Sequence, residues 1–452
     1  MVPAKKTLFY WLMREWCYIA SRLYFKKVET EYLEPLPKDK PIIFVGNHCN
    51  TFIDPILISV NSRLYPAFLA TAAAFKNPLV AKFLHAIRML PIYRKRDGGD
   101  TIKKNEKIFD ISIEQLEANL QFVIFAEGSH SRFRRLRPFK KGFARIGFSA
   151  LEKNKGDIDV QVVPVGVEYR QYRKMHQEVL QTYGKPIPLR EYWKDYQRDK
   201  DNTITKLTER VYGDLKELLI HIPTEEHYEE VESLRNISRP WLYDISGLRN
   251  PGLHDKLLAE QEMIAAQTAF EAKEPEEMNA FGQKIQTFQQ FLDKHNFRSH
   301  LVRNAPHSTL ILVLQFLLML PFAPLWLFGV FTSYLPYKLP GVIANKLFRD
   351  DMYHGAVNYA GGLFFFSATW IIETLLVLLI SKNGWITLAF ALLMPLISIF
   401  SFRYWIALKK WWHRWRYSMF SRKNKSEATR MEKLHEEIIE DTKNMMTNFG
   451  NS

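Results

Sequence analysis

Two apolar tracts near the carboxyl end, 361–380 and 385–408, limit the architectures open to this chain. At about 1.5 Å per residue, each makes a helix about 30 Å long or more, enough to cross a bilayer core. A helix that is apolar all round must be covered by lipid or by a large protein core. Only Ser381-Lys382-Asn383-Gly384 separates the two, so they read as a helical hairpin. Glu373 in the first tract is costly in lipid and is expected to face protein or headgroups. A third tract, 309–335, is too short for two crossings and carries Pro321 and Pro324 near its middle. Lys338, Lys346 and Arg349 follow it, and Arg403, Lys409, Lys410, Arg414, Arg416, Arg422 and Lys423 cluster late in the chain. Basic loops stay on the cytoplasmic side. An even number of crossings follows if the amino-terminal part is also cytoplasmic. The expectation is a re-entrant 309–335 and a spanning hairpin over 361–408.

The net charge of +14 suits nucleic acid or an anionic membrane surface. The apolar tracts favour the membrane, and no nucleic-acid module is legible. Aliphatic and aromatic residues make up 47%, which allows a large core and excludes disorder as the main state. The two cysteines, Cys17 and Cys49, form neither a disulfide framework nor a zinc motif, which suits a reducing compartment. No small-residue cleavage site follows the first apolar stretch, so no secretory signal is expected.

Residues 5–27 read as an amphipathic helix. Thr7, Arg14 and Ser21 recur at seven-residue steps, with Glu15 and Arg22 beside them, and the rest is aromatic or aliphatic. A helix lying in the membrane plane is one reading; a helix packed on its own domain is the other.

Between 41 and 170 short apolar segments alternate with helical stretches. PIIFVG (41–46), FLATA (67–71), LPIY (90–93), FVIFA (122–126) and VQVVPVGVEY (160–169) read as strands, with helices near 54–62, 75–87, 101–119 and 139–153. The alternation predicts an α/β domain around a central mixed sheet flanked by helices. The expected plan has five parts: a membrane-surface helix over 1–30, the α/β domain over 31–222, a helical accessory region over 223–306, a membrane region over 307–423 and a polar tail over 424–452. The acidic run 224–232 reads as a solvated face, and the tail as a short helix or disorder.

Four segments carry chemistry. In NHCNTFIDP a buried strand ends at Gly46, His48 follows, and Asp54 stands before Pro55. Ligands of α/β sheets bind at the carboxyl ends of strands. A neutral imidazole can take an alcohol proton while a carboxylate sets its tautomer. A helix-capping Asp with a His in a loop is the bland alternative. No third ligand is near in sequence, so no metal is expected. In FVIFAEGSHSRFRRLRPFKKGFARIGF, Gly128 permits a tight turn after Glu127. Arg132, Arg134, Arg135, Arg137, Lys140, Lys141 and Arg145 follow. Such a cluster suits phosphate, or else lipid headgroups. LPIY delivers Arg94 at a strand end. VVPVGVEY places Pro164 in a strand, where a missing N–H suggests an edge, a bulge or an opening toward a pocket.

The order NHCNTFIDP, LPIYR, FAEGSHSR, VVPVGVEY over 40–170 resembles the glycerophospholipid acyltransferase family, which carries an NHx4D block, a block ending in a basic residue, an EGTRS-like block and a proline-containing strand. The resemblance implies that His48 is the general base and that Asp54 orients it. It implies that Arg94 contacts the acceptor phosphate, that Glu127, Gly128 and Ser129 shape that site, and that Pro164 lies near the acyl-donor channel. It further implies direct attack on a thioester of coenzyme A or acyl carrier protein, with no cofactor; GxSxG is absent. Two departures stand out. Five residues, not four, separate His48 from Asp54, and EGSHSR replaces EGTRS. Both resemble the branch that acylates glycerol 3-phosphate or dihydroxyacetone phosphate, with HxNxFxDP and GSHxR blocks. The phosphate role then moves from His130 to Arg132, with Lys140 nearby. The expected protein is an integral membrane enzyme with its catalytic domain on the cytoplasmic face, in a bacterial inner membrane or the endoplasmic reticulum. Its partners are membrane lipids, an acyl thioester and a phosphate-bearing acceptor; nucleic acid is not among them. A lysophosphatidate acceptor and a non-catalytic lipid-binding scaffold are the competing readings.

Overall fold

The computed structural model describes residues 7–93, 101–128, 131, 133–172, 174–245, 247–248, 250–303, 308–348 and 352–450. The chain divides into two compact units: residues 1–220 with 343–363, and residues 221–342 with 364–452.

The first unit opens with α1 (Leu8–Tyr24), β1 (Lys27–Tyr32), β2 (Ile42–Gly46), α2 (Ile53–Ser62) and β3 (Ala67–Thr71). It continues with α3 (Pro78–Ala86), β4 (Met89–Ile92), α4 (Thr101–Glu117), β5 (Gln121–Phe125) and α5 (Gly142–Lys153). Strands β6 (Gln161–Tyr169), β7 (Glu178–Tyr183) and β8 (Ile187–Pro188) follow, then α6 (Trp193–Arg198) and α7 (Lys200–Glu217). The eight-stranded sheet runs β1-β7-β6-β2-β5-β3-β4, with β8 also on β6. It is mixed: β6 pairs antiparallel with β7 and β8, while the other pairs are parallel. Every residue of β2 is buried, as expected of a strand covered on both faces.

Pro164 does not occupy an edge strand. Strand β6 lies between β2 and β7, and Pro164 is level with Val45. On its other flank β6 changes partner, from β8 at Gln161–Val162 to β7 from Val165 onward. The Pro164 carbonyl accepts the Gly184 N–H at 2.8 Å, so its nitrogen faces the same gap between β7 and β8. A residue that cannot donate fits where no strand waits for its N–H.

Helix α1 packs on its own domain. Thr7 caps it by accepting the Tyr10 N–H at 3.2 Å. Its polar stripe faces protein: Arg14 Nη1 donates to the Arg63 carbonyl at 3.0 Å, and Ser21 Oγ meets Tyr359 Oη at 2.9 Å. Leu8, Leu12, Trp16, Ile19 and Leu23 point outward, Leu8 at 73% exposure. A helix seated on its domain through polar groups, with large apolar groups outward, suits a lipid surface.

The second unit is helical. It holds α8 (Tyr228–Ile245), α9 (Leu253–Lys273), α10 (Pro275–His295) and α11 (Ser299–Arg303). Three long apolar helical runs follow: α12 (Thr309–Met319) with α13 (Ala323–Leu347), α14 (Met352–Ser381) and α15 (Gly384–Lys423), then α16 (Lys425–Phe449). Runs 309–347, 353–381 and 384–423 are each long and apolar enough to cross a membrane. A 3-10 turn at Leu320–Phe322 joins α12 to α13 where Pro321 lacks an N–H. Glu260 is buried between Arg235 and Arg239, each at 2.6 Å. Burial alone would raise its carboxyl, yet the two guanidiniums hold it down at about 2. Within the acidic run, Glu230 is buried and accepts from Gln286, so that part of the run faces the helices rather than solvent. Helix α16 is longer than a short tail helix. Met431, His435, Ile438, Thr442 and Met445 recur at helical spacing and are buried, with α9 and α10 as neighbours.

Candidate active site

Strands β2 and β5 are parallel neighbours with Gly46 level with Phe125. Their carboxyl ends therefore release Asn47-His48 and Ala126-Glu127 side by side. Asn47 keeps its segment tied to β6: its Oδ1 accepts the Val167 N–H at 2.8 Å and its Nδ2 donates to the Val167 carbonyl at 3.0 Å. His48 is the next residue to turn out of the sheet. Its ring stacks on Phe125 at 4.2 Å and 15°. Its backbone N–H donates to Glu127 Oε1 at 3.0 Å, and Glu127 Oε2 accepts the Arg137 N–H at 3.1 Å. Glu127 thus ties the His48 loop to the basic loop.

Asp54 lies in the first turn of α2 and is fully buried. Its Oδ2 accepts the backbone N–H groups of Cys49 at 2.9 Å and Asn50 at 2.8 Å, and meets His48 Nδ1 at 3.0 Å. Its Oδ1 accepts the Tyr169 hydroxyl at 2.7 Å. The additional residue between His48 and Asp54 does not separate the pair. The loop curls through Thr51 at φ 21°, and the Asn50 carbonyl accepts the Ile53 N–H at 2.8 Å. That turn brings Asp54 back under His48. The carboxylate acts as acceptor for Nδ1–H, which leaves the basic lone pair on Nε2. The His48 side chain retains 19% exposure while Asp54 has none, so the imidazole alone can meet a substrate.

Burial and the Asp54 charge push the Tyr169 phenol well above its ordinary value, so it stays an O–H donor to the carboxylate. Burial, with Asp54 and Glu127 adding to it, likewise raises the Cys49 thiol. Cys49 stays protonated and is no nucleophile near neutral pH. Burial raises the Glu127 carboxyl too, against the lowering effect of the Arg137 and His48 N–H groups.

Tyr169 was not singled out among the sequence candidates, although it ends the proline-containing block. Only the register of β6 beside β2 brings it to Asp54. Tyr169→Phe removes one donor from a buried charge. We expect a stability loss of about 1.5–3 kcal/mol and a several-fold fall in kcat. Thermal unfolding and initial rates measure both, and a variant equal to the parent in both would show that Asp54 does not depend on this hydroxyl.

The structure brings together His48, Asp54, Glu127, Gly128 and Lys140. Gly128 turns at φ 72°, and a Cβ there would lie 2.9 Å from Lys140 Cε and Nζ, so the lysine crosses directly over the turn. Pro164 lies inside the sheet instead. Arg94, Ser129 and Arg132, with His130, fall outside the described residues. Of the basic cluster, Arg134 is buried: it pairs with Glu168, donates to the Tyr169 carbonyl at 2.8 Å and stands over the Tyr172 ring. It braces the end of β6 and is not open to a phosphate. Arg137, Lys140 and Arg145 are exposed.

Residues 27–168 match the model of the acyltransferase family. A 1-acyl-sn-glycerol-3-phosphate acyltransferase from Limnanthes douglasii is 26% identical over 143 residues, covering 29% of this chain and 49% of that protein. The match therefore spans about half the length of this curated relative. The crystal structure of the 1-acyl-sn-glycerophosphate (LPA) acyltransferase from Thermotoga maritima aligns at 19% identity and a TM-score of 0.31, over 45% of this chain and 79% of that one.

Proposed function

We propose that the acyltransferase-family segment over 27–168 transfers a fatty acyl group from an acyl thioester to the hydroxyl of a phosphate-bearing glycerol acceptor. The observation that carries this is the His48–Asp54 pair at 3.0 Å, with Asp54 buried and His48 at the surface. His48 Nε2 takes the proton from the acceptor hydroxyl as its oxygen attacks the thioester carbonyl. The C–S bond then breaks, and the imidazolium returns the proton to the departing sulfur, so a free thiol leaves and His48 is a base again. No acyl-enzyme forms; the Cys49 thiol, raised well above its ordinary value, supplies no nucleophile. The HxNxFxDP and GSHxR patterns favour glycerol 3-phosphate or dihydroxyacetone phosphate as acceptor. A second reading, lysophosphatidate, is favoured by the name of the Limnanthes relative. Labelled acyl-CoA offered with each acceptor in turn separates them, and transfer to none of the three would overturn the assignment.

The same reading sets the membrane arrangement. Residues 343–363, which include the start of α14, belong to the first unit. Lys338 and Lys346, which follow 309–335, support a re-entrant course for that tract, since basic loops stay on the cytoplasmic side. Helices α14 and α15 form the single spanning hairpin. A tag inserted at Lys382 is expected to be reachable only from the face opposite the catalytic domain. Labelling from the catalytic face would instead require an odd number of crossings.

A further inference from the structure

The active-site loop rests on a residue about three hundred positions away. The first turns of α14 pack into the catalytic unit, with Ala356 and Tyr359 buried in its core beside Tyr24 and Tyr169. Tyr359 Oη donates to the Cys17 carbonyl at 2.8 Å, and Tyr24 Oη donates to the Gly355 carbonyl at 3.3 Å. Gly355 is buried against Asn50. A Cβ at Gly355 would lie 3.1 Å from Asn50 Oδ1 and 3.2 Å from the Tyr172 carbonyl.

Asn50 has little room to yield. Its Nδ2 donates to the Tyr172 carbonyl at 2.8 Å, and its carbonyl holds the Ile53 N–H at 2.8 Å. Its own N–H donates to Asp54 Oδ2 at 2.8 Å. Any push on Asn50 is therefore delivered to the carboxylate that orients His48.

We propose that Gly355 is a positioning residue: the root of α14 seats the Asn50 loop, and glycine is required there so that Asp54 stays aligned with His48. This rests on the His48–Asp54 pair being the reactive site. It makes the base of an apolar, membrane-length helix part of the catalytic geometry. Displacements of about 1 Å in such a site cost about 10²-fold in rate.

The test uses the full-length protein in membranes. Alanine is a better helix former than glycine, so without this contact Gly355→Ala should be neutral or stabilising. We expect instead that Gly355→Ala lowers kcat several-fold and Gly355→Val about 10²-fold, with the loss falling on kcat rather than on the donor KM, as for a residue that acts through the reactive pair. Gly362, on the same helix with open space around it, is the control, and Gly362→Ala should leave kcat unchanged. In an Asn50→Ala background the Gly355→Ala change should cost nothing further. Unchanged kcat in Gly355→Val, or additive losses with Asn50→Ala, would overturn the proposal.

The ring nitrogens of His48 give a readout independent of turnover. Their 15N resonances should report one tautomer in the parent and a mixture in Gly355→Val; identical spectra would overturn the proposal even if no acceptor were found. Failure of the parent to transfer acyl groups would count against the proposed reaction alone.

Discussion

Replacing His48 with alanine lowers turnover by about 10²–10⁴-fold, the usual worth of a positioned general base. The fold should survive. The imidazole retains 19% exposure and stacks on Phe125. The bonds of His48 to Glu127 and Ser131 are made by its backbone and remain in alanine. Rates in membranes carrying equal amounts of protein, with thermal unfolding as the control, measure the effect. Loss of rate with unchanged unfolding assigns the imidazole to the chemistry. A variant that keeps its rate removes His48 from the mechanism.

Asp54→Asn produces a second large effect by a different route. The amide keeps one acceptor but offers an NH₂ where the carboxylate accepted. Oδ2 now takes Cys49 N–H, Asn50 N–H and His48 Nδ1, and Oδ1 takes the Tyr169 hydroxyl. Asparagine cannot accept at both ends, so at least one buried donor loses its partner, at about 1–3 kcal/mol. If the amide nitrogen faces His48, the ring reverses its tautomer and presents N–H to the acceptor. We expect about 10²–10⁴-fold lower kcat together with a measurable loss of stability. His48→Ala should show the first without the second. If Asp54→Asn lowered stability but left kcat intact, Asp54 would be a helix-terminus residue and no partner of the base.

These two residues were legible because both lie in one short block after a buried strand. IIFVG and FVIFA read as apolar runs because strands covered on both faces carry little alternation. KVETEY and EVLQTY, which became β1 and β7, were not read as strands. Their polar residues hide the pattern, and β1 pairs with a strand about 150 residues away. Arg134 looked like a phosphate ligand among other basic residues. Only the fold shows that it is buried against Glu168. The polar stripe of α1 was legible as a stripe, but which side of the helix met protein was not, because periodicity gives a face and no direction.

The sequence by itself determined the α/β domain, the apolar helices, the family resemblance and the candidates His48 and Asp54, since all are written in local pattern and short spacing. The tertiary structure alone decided that Tyr169 donates to Asp54, that Pro164 sits where β6 changes partners, and that Gly355 lies against Asn50. Each depends on strand register or on the docking of a distant helix. Those are properties of which segments end up side by side, and spacing along the chain does not encode them.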